Sequence, residues 1–251
     1  MTIETTTDGF LGGRLSIEQP TIGYRAGVDP VLLAASVPAR PGDRVLDLGC
    51  GTAVAGLCLA SRVPGVEITG LERSAEAAAL AKQNSIHNRL PMNVIVGDAA
   101  EMPRELRMQS FDYLLTNPPY FDRAHGTPGQ QPREAAFGES LSLAQWIDVA
   151  IKRLRPTGML VVIQRAERLA DLLAACHDRL GGIEILPIAA RQGRAADRVI
   201  LRGSKNARAS LKLLAPLVMH EGARHLRDGN DYSSLANTVL RDGAALSFSR
   251  G

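Results

Sequence analysis

Short apolar runs, each suited to one buried strand, alternate with amphipathic stretches along most of the chain. Val45 to Leu48, Val66 to Leu71, Asn93 to Gly97, Phe111 to Leu115 and Met159 to Ile163 read as five strands in chain order, with Ile183 to Ile188 and Arg198 to Leu201 as two more. The intervening segments predict helices: Asp29 to Val37, Ala53 or Val54 to Arg62, Ala75 to Asn84 behind the N-cap Ser74, a short one over Met102 to Arg107, and Leu141 to Leu154 behind Ser140 or Ser142. Arg155-Pro156-Thr157-Gly158 is expected to end the last of these, and a further helix from Ala166 to Leu180 is expected to stop at Gly181-Gly182. Strand alternating with helix predicts a mostly parallel sheet covered on both faces. The connection from Ala189 to Asp197 is too short for a helical crossover, so the final two strands should form an antiparallel hairpin.

With 251 residues and 45% apolar content, one core is the economical expectation. The chain then divides into an arm and first helix over residues 1–40, a core over 41–203 and an extension over 204–251. Two segments break the alternation. Phe121 to Glu139 is a long loop rich in Gly, Pro and Gln, carrying Arg123 and Arg133, with the character of a lid. The second is a basic stretch containing Arg191, Arg194, Arg198, Arg202, Lys205, Arg208 and Lys212, with Asp197 its only acid. Formal charge is only +3 and the isoelectric point about 8.9, so binding to a polyanion would depend on such local clustering; a solvated face is the alternative.

The most specific chemistry begins where the first strand enters a turn, Asp47-Leu48-Gly49-Cys50-Gly51-Thr52-Ala53. Glycines 49 and 51 allow close backbone approach, and the helix that follows offers free N–H groups to a nucleotide-like ligand. The dinucleotide fingerprint fails, because Val54 stands where its third glycine belongs. Asp47 would repel a pyrophosphate but suits the cationic amino-acid end of S-adenosylmethionine. Glu72, ending the second strand, is placed to accept hydrogen bonds from ribose hydroxyls, and Asp98-Ala99, ending the third, to meet an adenine amine. Each acid alone could be a helix cap; a row at successive strand ends is harder to explain that way.

The fourth strand opens into Asn117-Pro118-Pro119-Tyr120. Proline fixes the backbone and leaves carbonyls free, Asn117 adds a side-chain acceptor, and Tyr120 adds a flat aromatic face. This set suits a planar group bearing an NH₂.

Together these residues resemble the class I S-adenosylmethionine-dependent methyltransferases that act on amines conjugated to a π-system. From Asp8 to Tyr120 the chain more narrowly resembles the bacterial tRNA(Val) anticodon-loop adenine-N6 methyltransferase family. Phe10-Leu11-Gly12-Gly13, Gly23-Tyr24-Arg25-Ala26-Gly27-Val28-Asp29 with Leu32-Leu33, and Asn84-x-x-x-Asn88 carry that likeness, which continues through Arg198-Val199-Ile200-Leu201 and Tyr232. It implies an α/β fold with a Rossmann-like seven-stranded sheet, the last strand inserted antiparallel, and helices on both faces. It also implies a cofactor set of Arg25, Asp29, Asp47, Gly49, Gly51, Glu72, Asp98, Ala99 and Asn117. Asn117, Pro118, Pro119 and Tyr120 would be catalytic, with Tyr120, Phe121, Arg123, Arg191, Arg194 and Lys205 facing tRNA. Ala53 departs from the family, which commonly has glycine there.

The tetrapeptide is shared with protein-glutamine N5 and rRNA guanine-N2 methyltransferases, which are the alternatives. The glutamine enzymes carry a helical domain before the glycine turn, for which the residues preceding Val45 leave no room. Neither a signal peptide nor a membrane-length apolar stretch is evident, and Cys50, Cys58 and Cys176 lack zinc or disulfide spacing. A cytoplasmic, metal-independent enzyme is the expectation.

Overall fold

The computed structural model describes residues 4–119, 141–222 and 231–248. Strands β1 (Thr5–Phe10) and β2 (Leu15–Pro20) make an antiparallel hairpin, where a plain arm is expected from sequence. Helix α1 (Asp29–Ala35) then leads to β3 (Arg44–Leu48), α2 (Val54–Arg62), β4 (Glu67–Glu72), α3 (Ala75–His87), β5 (Asn93–Val96), α4 (Arg104–Arg107) and β6 (Phe111–Thr116). After the next described residues come α5 (Leu143–Arg153), β7 (Leu154–Arg165), α6 (Leu169–Cys176), β8 (Leu180–Arg191), β9 (Ala196–Lys205), β10 (Lys212–Leu213), β11 (Leu217–His220) and α7 (Ser234–Asp242).

Among the described residues the main sheet has nine strands in the order β10-β8-β9-β7-β6-β3-β4-β5, with β11 also paired to β8. Strands β3 to β7 are mutually parallel, while β9 is inserted between β7 and β8 and antiparallel to both. The seven expected strands are thus present in the expected sense. Two short additions, β10 and β11, run along the outer edge of β8, interrupted near Pro216, which lacks an N–H for the ladder.

Alternation within the strands sorts side chains onto two buried layers. Val45, Leu115, Val161 and Ile200 face one side with Leu33, Leu57 and Val239 from α1, α2 and α7. Leu46, Leu114, Leu160 and Leu201 face the other with Leu106, Ile147 and Leu172 from α4, α5 and α6. Both faces being covered explains why the central strands read as nearly continuous apolar runs.

The caps mostly follow local chemistry. Ser74 Oγ accepts the Ala77 N–H, and Ser142, not Ser140, caps α5 in a reciprocal box with Gln145. The segment from Ala166 departs from expectation. A 3₁₀ turn at Ala166–Arg168 precedes α6, which ends at Cys176, and Gly181-Gly182 lie inside β8. Their role is a bulge: the register with β9 shifts between Gly181 and Glu184, Gly182 takes φ +59°, and a Cβ on Gly181 would lie 2.0 Å from the Ala207 carbonyl oxygen. Likewise β7 begins at Leu154, so Arg155 to Gly158 form an irregular strand entry, with Leu154 opposite Phe111 and Met159 opposite Tyr113.

The hairpin is fastened to α3 by two asparagines one turn apart. Asn84 accepts the Glu18 N–H at 2.8 Å and donates to the carbonyls of Glu18 and Thr52, both at 3.0 Å. Asn88 accepts from Ser16 N–H at 2.9 Å and donates back to the Ser16 carbonyl at 2.8 Å. The two amides take the place of a neighbouring strand along β2.

Candidate active site

Strand β3 pairs with β4 on one side and β6 on the other, and the chain winds outward in both directions from there. The carboxyl ends of β3 and β6 therefore diverge at a topological switch point, where open α/β sheets form their ligand crevices. A cleft of about 1000 Å³ opens there, walled by the glycine turn, Glu72, Asp98, Asn117-Pro118-Pro119 and the segment from Ile22 to Ala26.

The glycine turn is held against β4. Gly49 and Cys50 N–H donate to the Leu71 carbonyl at 2.9 and 3.1 Å, and Gly51 N–H donates to Glu72 Oε2 at 2.9 Å. Ser74 N–H donates to Glu72 Oε1 at 2.8 Å, so both carboxylate oxygens are fixed before any ligand arrives. Gly49 takes φ +74° and lies under the Trp146 ring, where a Cβ would come within 3.1 Å. Above Gly51, at φ +54°, a Cβ would meet nothing within 4 Å, leaving room for a ligand against the backbone. Ala53 also takes a left-handed conformation, φ +70°, and is fully buried at the entrance of α2.

Asp47 is buried beneath this turn and accepts the Gly56 N–H at 3.0 Å. Burial pushes its carboxyl up to about 7 against that hydrogen bond, with the nearby Glu72 charge adding to the rise. Asp98, half-buried, accepts the Ala100 N–H at 2.8 Å, and Ala99 beside it is buried.

Asn117 follows Thr116, whose hydroxyl donates to the Leu48 carbonyl at 2.8 Å and accepts from Trp146 Nε1 at 2.9 Å. This chain of bonds ties the ends of β3 and β6 to α5. Asn117 Nδ2 donates to Tyr24 Oη at 3.1 Å. Its Oδ1 is buried and accepts no hydrogen bond among the described residues. Desolvation, with the charge of Asp29 next, pushes the Tyr24 phenol up to about 12.

Asp47, Gly49, Gly51, Glu72, Asp98, Ala99, Asn117, Pro118 and Pro119 thus converge on one cleft. Arg25 reaches its wall, but the guanidinium turns to the hairpin, bonding Asp8 at 2.5 Å, Thr6 at 2.6 Å and the Pro20 carbonyl at 3.0 Å. Asp29 lies off the cleft wall and pairs with Arg198 at 3.1 Å. Arg25 thus braces the N-terminal hairpin internally, and Asp29 ties the segment that follows it to β9.

The basic stretch does not form one face. Arg191 ends β8, Arg194 lies in the β8–β9 turn, Arg198, Arg202 and Lys205 are spread along the length of β9, and Lys212 begins β10. Arg198 is level with Arg165 at the cleft end, whereas Lys205 lies at the far end and donates to the Leu154 carbonyl at 2.7 Å. Arg191 is bound by the Asp231 carboxylate and the Glu221 carbonyl, and Arg202 by Glu184 at 2.7 Å while stacking over Phe248. Arg194 remains exposed in the β8–β9 turn. Lys205 and Arg191 each hold a group of the fold itself. Tyr120, Phe121 and Arg123 lie outside the described residues.

Tyr24 and Trp146 are site residues that motif spacing passes over as site members. Tyr24 is visible in sequence only as one position of the Gly23 to Asp29 block, and Trp146 only as an apolar position of an amphipathic helix. Among the described residues no group of His, Cys, Asp and Glu could hold a metal ion, and no helix is long and apolar enough to cross a membrane.

Residues 25–184 match the methyltransferase small domain family. The chain is 28% identical over 245 residues to the tRNA1(Val) (adenine(37)-N6)-methyltransferase of Dickeya chrysanthemi, covering 94% of each. It is 33% identical over 174 residues to the protein of that name from Porphyromonas gingivalis, covering 66% of this chain and 68% of the relative. A crystal structure described as a predicted O-methyltransferase from Agrobacterium tumefaciens superposes with a TM-score of 0.70 at 29% identity, covering 87% of this chain and 98% of that one.

Proposed function

Because the chain belongs to the methyltransferase small domain family, with the class I methyltransferase fold, we propose that it methylates the exocyclic N6 amine of an adenine in tRNA. Adenine 37 of tRNA1(Val), the target named for its relatives, is the first candidate. S-adenosylmethionine, the donor implied by the family, supplies an electrophilic methyl group on a sulfonium centre.

The cleft suits that cofactor. Its cationic amino-acid end matches the buried Asp47, and its ribose hydroxyls match Glu72, whose oxygens are already oriented by Gly51 and Ser74. Asp98 suits the adenine amine, and the open space over Gly51 admits a ligand close to the backbone.

The observation that carries the reading is the buried Asn117 Oδ1, an acceptor without a partner among the described residues at the rim of this cleft. A buried acceptor left empty costs about 1–3 kcal/mol, which an N–H from a ligand would offset. An adenine amine is a poor nucleophile because its lone pair is delocalised into the ring. Asn117 Oδ1 and the Pro118 carbonyl would each take one N–H, turning the nitrogen lone pair toward the methyl group. The N–CH₃ bond would form as the S–CH₃ bond breaks, and the methylated amine would then release one proton to solvent, so that positioning and electrostatics suffice without a general base or a metal. The base must leave its stack to reach this depth, and Tyr120 would provide its stacking face. tRNA is the partner in this reading, and the cytoplasm its compartment.

The test offers labelled S-adenosylmethionine with total tRNA, ribosomal RNA and protein, each from cells lacking the gene, followed by analysis of the labelled nucleoside or amino acid. N6-methyladenosine is the expected product. Label on guanine or on protein glutamine would replace the proposal with one of the alternatives sharing the Asn-Pro-Pro-Tyr motif.

A further inference from the structure

A carboxamide has nearly the same shape either way round, but its two ends have opposite polarity. If Asn117 were flipped, it would present N–H groups to a substrate amine and repel it. The backbone does not decide between the two orientations. Thr116 is locked by Leu48 and Trp146, and Pro118 restricts the backbone of Asn117, but both constraints are blind to which end of the amide is oxygen. Only a polar partner of defined sense can choose.

We infer that Tyr24 is a positioning residue that selects the Asn117 orientation, holding Nδ2 at 3.1 Å and so reserving Oδ1, which has no partner among the described residues, for the acceptor amine. The inference rests on the proposed methyl transfer to an amine held by Asn117. A tyrosine hydroxyl can donate or accept, so its own hydrogen must be directed elsewhere. Asp29 and Asp47 act on Tyr24 as negative charges, and Arg198, which holds Asp29 at 3.1 Å, acts as a weaker positive one. With Asn117 Nδ2 donating to the hydroxyl oxygen, the net negative field favours a hydroxyl hydrogen turned away from the amide. The phenol, pushed up to about 12, stays neutral throughout the working range.

The arrangement also accounts for three sequence features that cofactor binding leaves unexplained. Tyr24 and Asp29 share one short segment, and Arg198 enters from the antiparallel strand β9. Arg198 orients Asp29, Asp29 biases the Tyr24 hydroxyl, and Tyr24 orients Asn117.

The experiment compares Tyr24→Phe, Asn117→Ala and the double variant in methylation of an unmodified tRNA1(Val) transcript. Tyr24→Phe deletes one hydroxyl and keeps the ring, and calorimetric binding of S-adenosylmethionine confirms that each protein is folded. Tyr24→Phe is expected to lower kcat about tenfold, with KM for S-adenosylmethionine within about twofold of the parent. In the Asn117→Ala background the same change should have no further effect on kcat. The Asn117 side-chain NH₂ resonances, assigned by their absence in Asn117→Ala, should lose the downfield displacement of the bonded proton in Tyr24→Phe. A Tyr24→Phe enzyme with parental kcat, beside an impaired Asn117→Ala enzyme, would overturn the role of Tyr24 and leave the proposed function standing. Full activity in Asn117→Ala would remove amine positioning by Asn117, and this inference with it. Equal losses from Tyr24→Phe in both backgrounds would assign Tyr24 to packing instead.

Discussion

Asn84 reads the backbone of Glu18 in both directions, accepting its N–H at 2.8 Å and donating to its carbonyl at 3.0 Å. A second amide hydrogen reaches the Thr52 carbonyl at 3.0 Å, so one side chain joins the N-terminal hairpin to the glycine turn. Replacing Asn84 by Ala would leave three backbone groups without these bonds. The expected destabilisation is about 2–4 kcal/mol, since each unsatisfied buried group costs roughly 1 kcal/mol or more. Asn88→Ala, at a half-buried position, should cost about half as much. Urea unfolding of the two variants checks this; equal stabilities of Asn84→Ala and parent would show the clamp to be unimportant.

Glu72 contributes to the cleft twice, as a carboxylate facing it and as the acceptor that fixes Gly51 and Ser74. Glu72→Ala should weaken S-adenosylmethionine binding by about 1.5–3 kcal/mol, the range for hydrogen bonds to a charged group. Calorimetry on the folded variant measures it, and unchanged affinity would take Glu72 out of the cofactor site.

Asp47 should couple both stability and cofactor binding to pH. Its carboxyl is raised from the ordinary range to about 7, so the folded protein holds this proton more tightly than the unfolded chain. The contribution to stability is therefore most favourable at low pH, declines as pH rises from about 4 toward 7, and is constant above that. Asp47→Asn keeps an acceptor for the Gly56 N–H and should abolish this component, gaining stability relative to the parent at pH 8 compared with pH 5. A cationic amino-acid group beside Asp47 favours the ionised carboxylate, so parental affinity for S-adenosylmethionine should tighten from pH 6 to 8. The Asn variant should bind weakly with a flatter profile. Parallel stability profiles for the two proteins would refute the raised Asp47.

Ala53 shows how local sequence and tertiary demand diverge. The turn requires a left-handed residue there, which glycine supplies without strain and alanine adopts at a cost of about 1–2 kcal/mol. The family resemblance marks the departure, and the fold shows its form: α2 still begins at Val54, and the buried methyl is accommodated.

The apolar periodicity, the glycine turn and the row of acids were sufficient, by themselves, to indicate the strands, their parallel sense and the residues that line the cleft. These are local signals: strand burial imposes composition, tight turns need glycine, and polar groups collect at strand ends. The hairpin from Ala189 onward was legible for the same reason, since a short connection permits no crossover. What only the tertiary structure decided depends on residues far apart in the chain. Gly181-Gly182 read as a helix stop until the approach of Ala207 requires a bulge. Arg191, Arg202 and Lys205 read only as members of a basic stretch, and their partners Asp231, Glu184 and the Leu154 carbonyl are set by the fold. Tyr24 and Trp146 gain their positions from Asn117 and Thr116, separated from them by intervening strands and helices. A charge or hydroxyl carries no mark in sequence of the partner that will satisfy it, because that partner is chosen by sheet order and register.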